Sequence, residues 1–158
     1  MSKIINVKKR VSIILSMILV VIVFAAGCGN ANKTISYTFN VETGDDIVVS
    51  LDASDGYSMT PDVPFAVSKD DEVLSQGTFI TADYYTYYVD AAKNDANAVI
   101  IDEGTKGDCS YVMWNYNDTE YDCVVMINGT NTGLVIGNDV SEESAKECFD
   151  RLEIKVKE

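Results

Sequence analysis

The chain predicts an α+β fold: a mainly antiparallel sheet of about seven strands with two helices, one of them near the C-terminus. Three observations carry this. Short segments of alternating apolar and polar residues recur from residue 35 to the end of the chain. They are separated by turn residues at hairpin spacing, and helical spacing occurs in only two places, residues 81–93 and 141–152.

In order along the chain, Ile35, Tyr37, Phe39 and Val41 alternate with Ser36, Thr38 and Asn40, which predicts a half-buried strand. Thr43-Gly44-Asp45-Asp46 turns the chain, and Ile47, Val49 and Leu51 resume the alternation as the second arm of a hairpin. Asp55-Gly56 marks another turn, and Pro61 with Pro64 predicts an irregular or edge path. Residues 65–68 and 73–80 form a second hairpin around the charged tip Lys69-Asp70-Asp71-Glu72. From Thr81 as N-cap, Tyr84, Tyr85, Tyr88, Val89 and Ala92 recur at helical spacing, and Asp83 sits favourably in the first turn. Residues 98–101 predict a short buried strand, followed by a polar loop through Gly107 and Asp108.

Residues 109–116 and 120–128 flank Asn117-Asp118-Thr119 as a third hairpin, whose simplest register sets Trp114 beside Tyr121 as an aromatic cross-strand pair. Residues 129–133 are a turn, and Leu134-Val135-Ile136 a short strand ended by Gly137-Asn138. Ser141 caps the last helix, Glu142 and Glu143 complement its dipole, and Val140 staples onto Ala145. Ala145, Cys148, Phe149 and Leu152 mark its buried face, and Leu152, Ile154 and Val156 alternate as a closing strand. This order of elements resembles the PsbP-like fold, a likeness that implies a sheet carrying helices on its faces and no particular activity.

The N-terminus has a different character. Lys3, Lys8, Lys9 and Arg10 precede the uncharged apolar run 11–26, the order of an export signal. The run is shorter than the roughly 20 residues a spanning helix needs. Ala25-Ala26-Gly27-Cys28 then resembles the lipobox of bacterial lipoproteins, with Ala25 where that family usually has Leu. The resemblance implies a signal peptide over 1–27, cleavage before Cys28, and a diacylglycerol on the Cys28 thiol. Residues 28–34 would then be a short tether and 35–158 a single globular domain, anchored to the cell membrane on its extracytoplasmic face.

Loss of residues 1–27 removes four of the 12 basic side chains and none of the 25 acidic ones, leaving a net charge of −17. Such a field repels nucleic acid and anionic lipid, so nucleic acid is not an expected partner. The chain contains no histidine, which removes the commonest general base and the commonest partner of a nucleophilic Ser or Cys. Besides Cys28 there are Cys109, Cys123 and Cys148, an odd number that cannot pair completely; any one of three bridges is open, or all three are buried apolar side chains. No CxxC spacing points to a redox or metal site, and neither cofactor nor metal is expected.

The reading that follows is a non-catalytic module for an envelope protein, peptide or small solute. Tyr84, Tyr87, Tyr88 and Trp114 are its candidate contacts. Two alternatives belong to other classes: a hydrolase using a carboxylate pair, and a cation-binding domain built on Asp45-Asp46 and Asp70-Asp71-Glu72.

Overall fold

The computed structural model describes residues 33–158, together with a two-residue strand at Ile18–Leu19; the rest of the predicted signal peptide, Cys28 and residues 29–32 of the tether lie outside the described residues. In chain order the domain contains β1 (Thr34–Asn40), β2 (Asp46–Asp52), β3 (Tyr57–Met59), β4 (Phe65–Lys69), β5 (Glu72–Thr81), α1 (Ala82–Asn94), β6 (Ala98–Lys106), β7 (Cys109–Tyr116), β8 (Glu120–Ile127), β9 (Thr132–Asn138), α2 (Glu142–Asp150) and β10 (Leu152–Val156). The class is α+β with antiparallel pairing throughout, as the alternation predicts.

The strands divide between two sheets rather than forming one. The larger has seven strands in the order β3-β4-β5-β9-β8-β7-β6. The first hairpin and the closing strand make a separate small sheet, β1-β2-β10, with Ile18–Leu19 beside β1. The apolar faces of both sheets, together with α2, enclose the main core. At its centre the rings of Phe39, Phe65 and Phe79, one from the small sheet and two from the large, lie 5.2 to 6.4 Å apart. Truncating any of these buried rings would cost about 3–5 kcal/mol.

A second, smaller core lies on the opposite face of the large sheet, where α1 packs through Tyr85, Tyr88, Val89 and Ala92 onto Ile80, Val112, Trp114 and Val124. The central strands β8 and β9 are therefore covered on both faces. That is why Cys123-Val124-Val125 and Leu134-Val135-Ile136 are unbroken apolar runs and not alternations.

Four expectations need correction. Residues 98–101 are the start of a nine-residue edge strand, and the loop expected after them is its continuation; Val99 is 56% exposed. An edge strand has a neighbour on one side only, so Asp102 and Glu103 can be strand residues and still be solvated. Gly133 and Gly137 lie inside β9 and do not break it. A Cβ at Gly133 would come within 2.6 Å of the Val125 carbonyl oxygen, so the missing side chain is a matter of space. Val140 does not staple α2. The Asn138 carboxamide accepts its N–H at 2.9 Å, and the side chain is left 52% exposed.

The fourth correction concerns Trp114. Its cross-strand neighbour is Asp122, while Tyr121 lies opposite Asn115. A shift of one residue moves a side chain to the other face of a sheet, so Trp114 faces α1 and Tyr121 packs on the main core.

Cys109, Cys123 and Cys148 are free and buried, and none of the three possible bridges is formed. Burial raises the pKa of each thiol, that of Cys109 to about 11. Helix α2 is held at both ends: the Ser141 hydroxyl accepts the Ser144 N–H at 3.1 Å, and Lys106 Nζ donates to the Phe149 and Asp150 carbonyls at 2.6 and 2.8 Å. A polar latch joins the two sheets, with Thr132 donating to Asp45 at 2.7 Å and Thr43 hydrogen-bonded to Thr132.

Candidate functional site

Helix α1 covers only part of the large sheet's second face. Where it stops, the row of residues that crosses the sheet runs Trp114, Asp122, Gly137, Gln76 on successive strands β7, β8, β9 and β5. Trp114 at one end of this row is covered by Tyr88 of α1. The remainder forms the floor of an open groove of about 460 Å³.

Thr78 and Val135 extend that floor, Tyr88 is one wall, and Pro64, Val73, Asp139 and Val140 form the opposite rim. Gly137 makes the depression, since a Cβ there would approach Asp122 Oδ1 to 3.2 Å. The groove thus combines apolar walls, two carboxylates and the amide and hydroxyl of Gln76 and Thr78. Among the described residues that line it, none is Lys or Arg.

The four predicted contact residues have unequal places. Tyr88 stacks on Trp114 with centroids 6.5 Å apart and planes 27° from parallel, and Tyr87 meets Tyr88 edge-on at 6.0 Å. Trp114 is only 6% exposed, so it supports Tyr88 from below. Tyr84 and Tyr87, 46% and 50% exposed, leave further aromatic surface of α1 open to solvent. Burial, and after it the negative charge of Asp122, raises the pKa of the Tyr88 hydroxyl, keeping it a neutral donor.

Sequence reasoning misses Gln76, Thr78, Asp122 and Gly137. In β5 a signal was present. Gln76 and Thr78 alternate with Gly77 and Phe79, which marks them as one face of a strand whose other face is core. Asp122 and Gly137 have no such signature, because their proximity arises from the β8–β9 pairing alone.

Elsewhere the polar clusters are occupied with holding the fold together. Arg151 lies 4.0 Å over the Tyr57 ring and bridges Asp55 at 3.0 Å and Glu147 at 3.3 Å. Asp45 and Asp46, one of the two suggested cation sites, are engaged with Thr132 and Asn40. Asp70 and Asp71 both take the left-handed conformation of a tight turn, with φ of 50° and 68°. Among the described residues no group of three or more Cys, Asp or Glu side chains converges as metal ligands would. Nor is any helix among them long and apolar enough to cross a membrane.

No family model, curated protein or solved structure matches the chain.

Proposed function

We propose that the protein is a lipid-anchored extracytoplasmic binding module, held through a diacylglycerol on Cys28, and that the groove beside α1 is its ligand site. The groove is the observation that carries the reading. Its volume is in the range of small-molecule and peptide sites, and its mixed apolar and polar lining is the composition such sites use. The N-terminal basic and apolar segments and the Ala25-Ala26-Gly27-Cys28 sequence support the address. The short tether would keep the domain within roughly 20 Å of the bilayer, since an extended residue spans about 3.3–3.6 Å.

Two measurements test the two halves. Intact mass of protein extracted by detergent should correspond to residues 28–158 plus the lipid; an uncleaved or unlipidated chain would overturn the anchor. For the site, thermal melting is recorded against a panel of short peptides, sugars and small organic ions. A true ligand at 100 times its dissociation constant adds about 2.7 kcal/mol, and that gain should vanish in Tyr88→Ala. A panel in which every stabilising compound acts equally on Tyr88→Ala would place binding away from the groove.

A further inference from the structure

We infer that the outer edge of β1 is a dimer contact, at which two mature copies of this chain pair antiparallel and join their small sheets into one. This rests on the proposed cleavage before Cys28 and concerns a surface apart from the groove. Along that edge the chain's own Ile18–Leu19 is paired antiparallel, Ile18 opposite Phe39 and Leu19 opposite Thr38. Both residues belong to the segment that cleavage removes. The mature domain is then left with a free strand edge whose geometry accepts an extended segment.

The backbone groups at this edge follow from the β1–β2 hairpin. The Val41 N–H donates to the Asp45 carbonyl at 3.1 Å and the Ala53 N–H to that of Lys33 at 2.6 Å, and antiparallel bonding alternates along a strand. The odd-numbered residues of β1 are therefore bonded to β2, and Thr34, Ser36, Thr38 and Asn40 turn their N–H and C=O groups to the free edge. One register satisfies all of them at once: a two-fold axis at Tyr37 sets Thr34 opposite Asn40 and Ser36 opposite Thr38 in both directions. The same register brings the exposed Lys33 end of each strand to the exposed Glu42 end of the other.

Among the described strands the other sheet edges are guarded. β6 carries Asp102, Glu103 and a bulge between Ile100 and Asp102, β3 is three residues long, and the Ile154 carbonyl of β10 accepts from the Cys109 thiol at 3.4 Å. Charge, bulges, shortness and cover are the devices that stop strands adding to an edge. β1 has none of them: its seven residues, Thr-Ile-Ser-Tyr-Thr-Phe-Asn, include no charge, proline or glycine. Two copies of a strongly acidic domain can thus meet there without opposing carboxylates. The two-fold also suits the anchors. It puts the two Thr34 residues at opposite ends of the paired strands, about 20 Å apart at about 3.4 Å per residue, and at equal height above one bilayer when the axis lies along its normal. Confinement to that bilayer raises the effective concentration of each copy for the other.

The test uses the full chain, extracted from membranes in nonionic detergent at about 0.15 M NaCl, where charges are screened beyond about 8 Å, with intact mass recorded on every sample. At a pair that is not hydrogen-bonded, such as Tyr37 with its own copy, Cα atoms lie about 4.5 Å apart, within disulfide range. Under mild oxidation Tyr37→Cys chains should therefore join to one another about tenfold more than chains carrying Thr105→Cys on the β6 edge. Because Tyr37 also packs on the main core, a second pair of variants repeats the readout. Ser36→Cys mixed with Thr38→Cys should join, and neither alone, since like residues lie about 7–8 Å apart on the diagonal. Ser36→Pro removes an N–H at the free edge and leaves the bonds to β2 in place. Added to Tyr37→Cys, it should cut joining about tenfold while melting stays cooperative.

A processed, lipidated mass with no joining, or with equal joining through Thr105→Cys, would overturn the dimer and leave the anchor standing. Joining that survives Ser36→Pro undiminished would mean a contact without strand pairing, and the inference falls. Tyr37→Cys linked to a different membrane protein and not to itself would overturn the second copy as the occupant. A mass for the uncleaved chain would overturn the anchor and the dimer together, because Ile18–Leu19 then keeps the edge.

Discussion

Gly133 and Tyr57 show how single residues carry constraints of opposite kinds. At Gly133 the constraint is absence: the Val125 carbonyl occupies the space where a Cβ would stand, at 2.6 Å, with an Ile80 side-chain carbon at 3.3 Å. Gly133→Ala must therefore push β8 from β9 in the middle of the sheet. A cost of about 1–3 kcal/mol is expected, as for other overpacked sites, measured as a fall in the urea midpoint with unchanged slope. At Tyr57 the constraint is a proton. The ring is buried beneath the Arg151 guanidinium, and burial together with a hydrogen bond to Glu147 raises its pKa to about 12.

A group whose folded pKa lies above its unfolded value of about 10 binds its proton more tightly in the native state. Its stabilisation is fully present below pH 10 and is lost as pH rises towards 12. The Cys109 thiol, raised to about 11, adds to the same alkaline loss. Urea midpoints measured from pH 8 to 11.5 should thus fall, and fall less steeply in Tyr57→Phe, which has no proton to lose. A variant with the wild-type slope would show that Tyr57 is not responsible.

At the scale of elements, what could be read from the sequence follows from which contacts are local. Helix α2 was legible because its signals lie within a few residues of one another: Ser141 as cap, two glutamates in the first turn, and Ala145, Cys148 and Phe149 at the spacing of one face. Removing the cap bond in Ser141→Ala should cost about 0.5–2 kcal/mol, and Ser141→Asp, which can accept the same Ser144 N–H, should restore most of it in thermal melting. If Ser141→Ala leaves the melting temperature unchanged, the anchoring of α2 comes from its buried face and from Lys106 at the far end.

The hairpins were equally legible, because turn residues and alternation are local. Division into two sheets was not, since it depends on β10 pairing with β2 across most of the chain. The groove was half legible for the same reason. The tyrosines of α1 stand out by their spacing. Asp122, Gly137 and Gln76 become neighbours only once β8, β9 and β5 are laid side by side, and Trp114 reached the α1 face through a register one residue away from the simplest one.

At the scale of the whole molecule the decisive quantity is charge. Past residue 27 there are eight basic side chains against 25 acidic ones. Exposed pairs such as Lys93–Glu103 at 2.8 Å and Lys146–Glu142 at 2.7 Å offset little of this, because each is worth about 0–1 kcal/mol. The rest is mutual repulsion over a domain whose radius of gyration is about 14 Å for its length. At 0.01 M salt the screening length of about 30 Å exceeds that radius, so every carboxylate feels every other; at 0.15 M it is about 8 Å, and only near neighbours do.

Salt therefore weakens repulsion between many pairs and attraction between few, and the first effect should win. Raising NaCl from 0.01 to 0.15 M should stabilise the domain by about 1 kcal/mol, a rise in melting temperature of about 3–5 °C for a chain of this size. Potassium and choline chlorides should act as sodium chloride does, because screening depends on ionic strength alone. A rise produced by micromolar calcium and reversed by chelator would instead favour the cation-binding alternative. A melting temperature that falls with salt would show that the few attractive pairs outweigh the field, contrary to the count of charges.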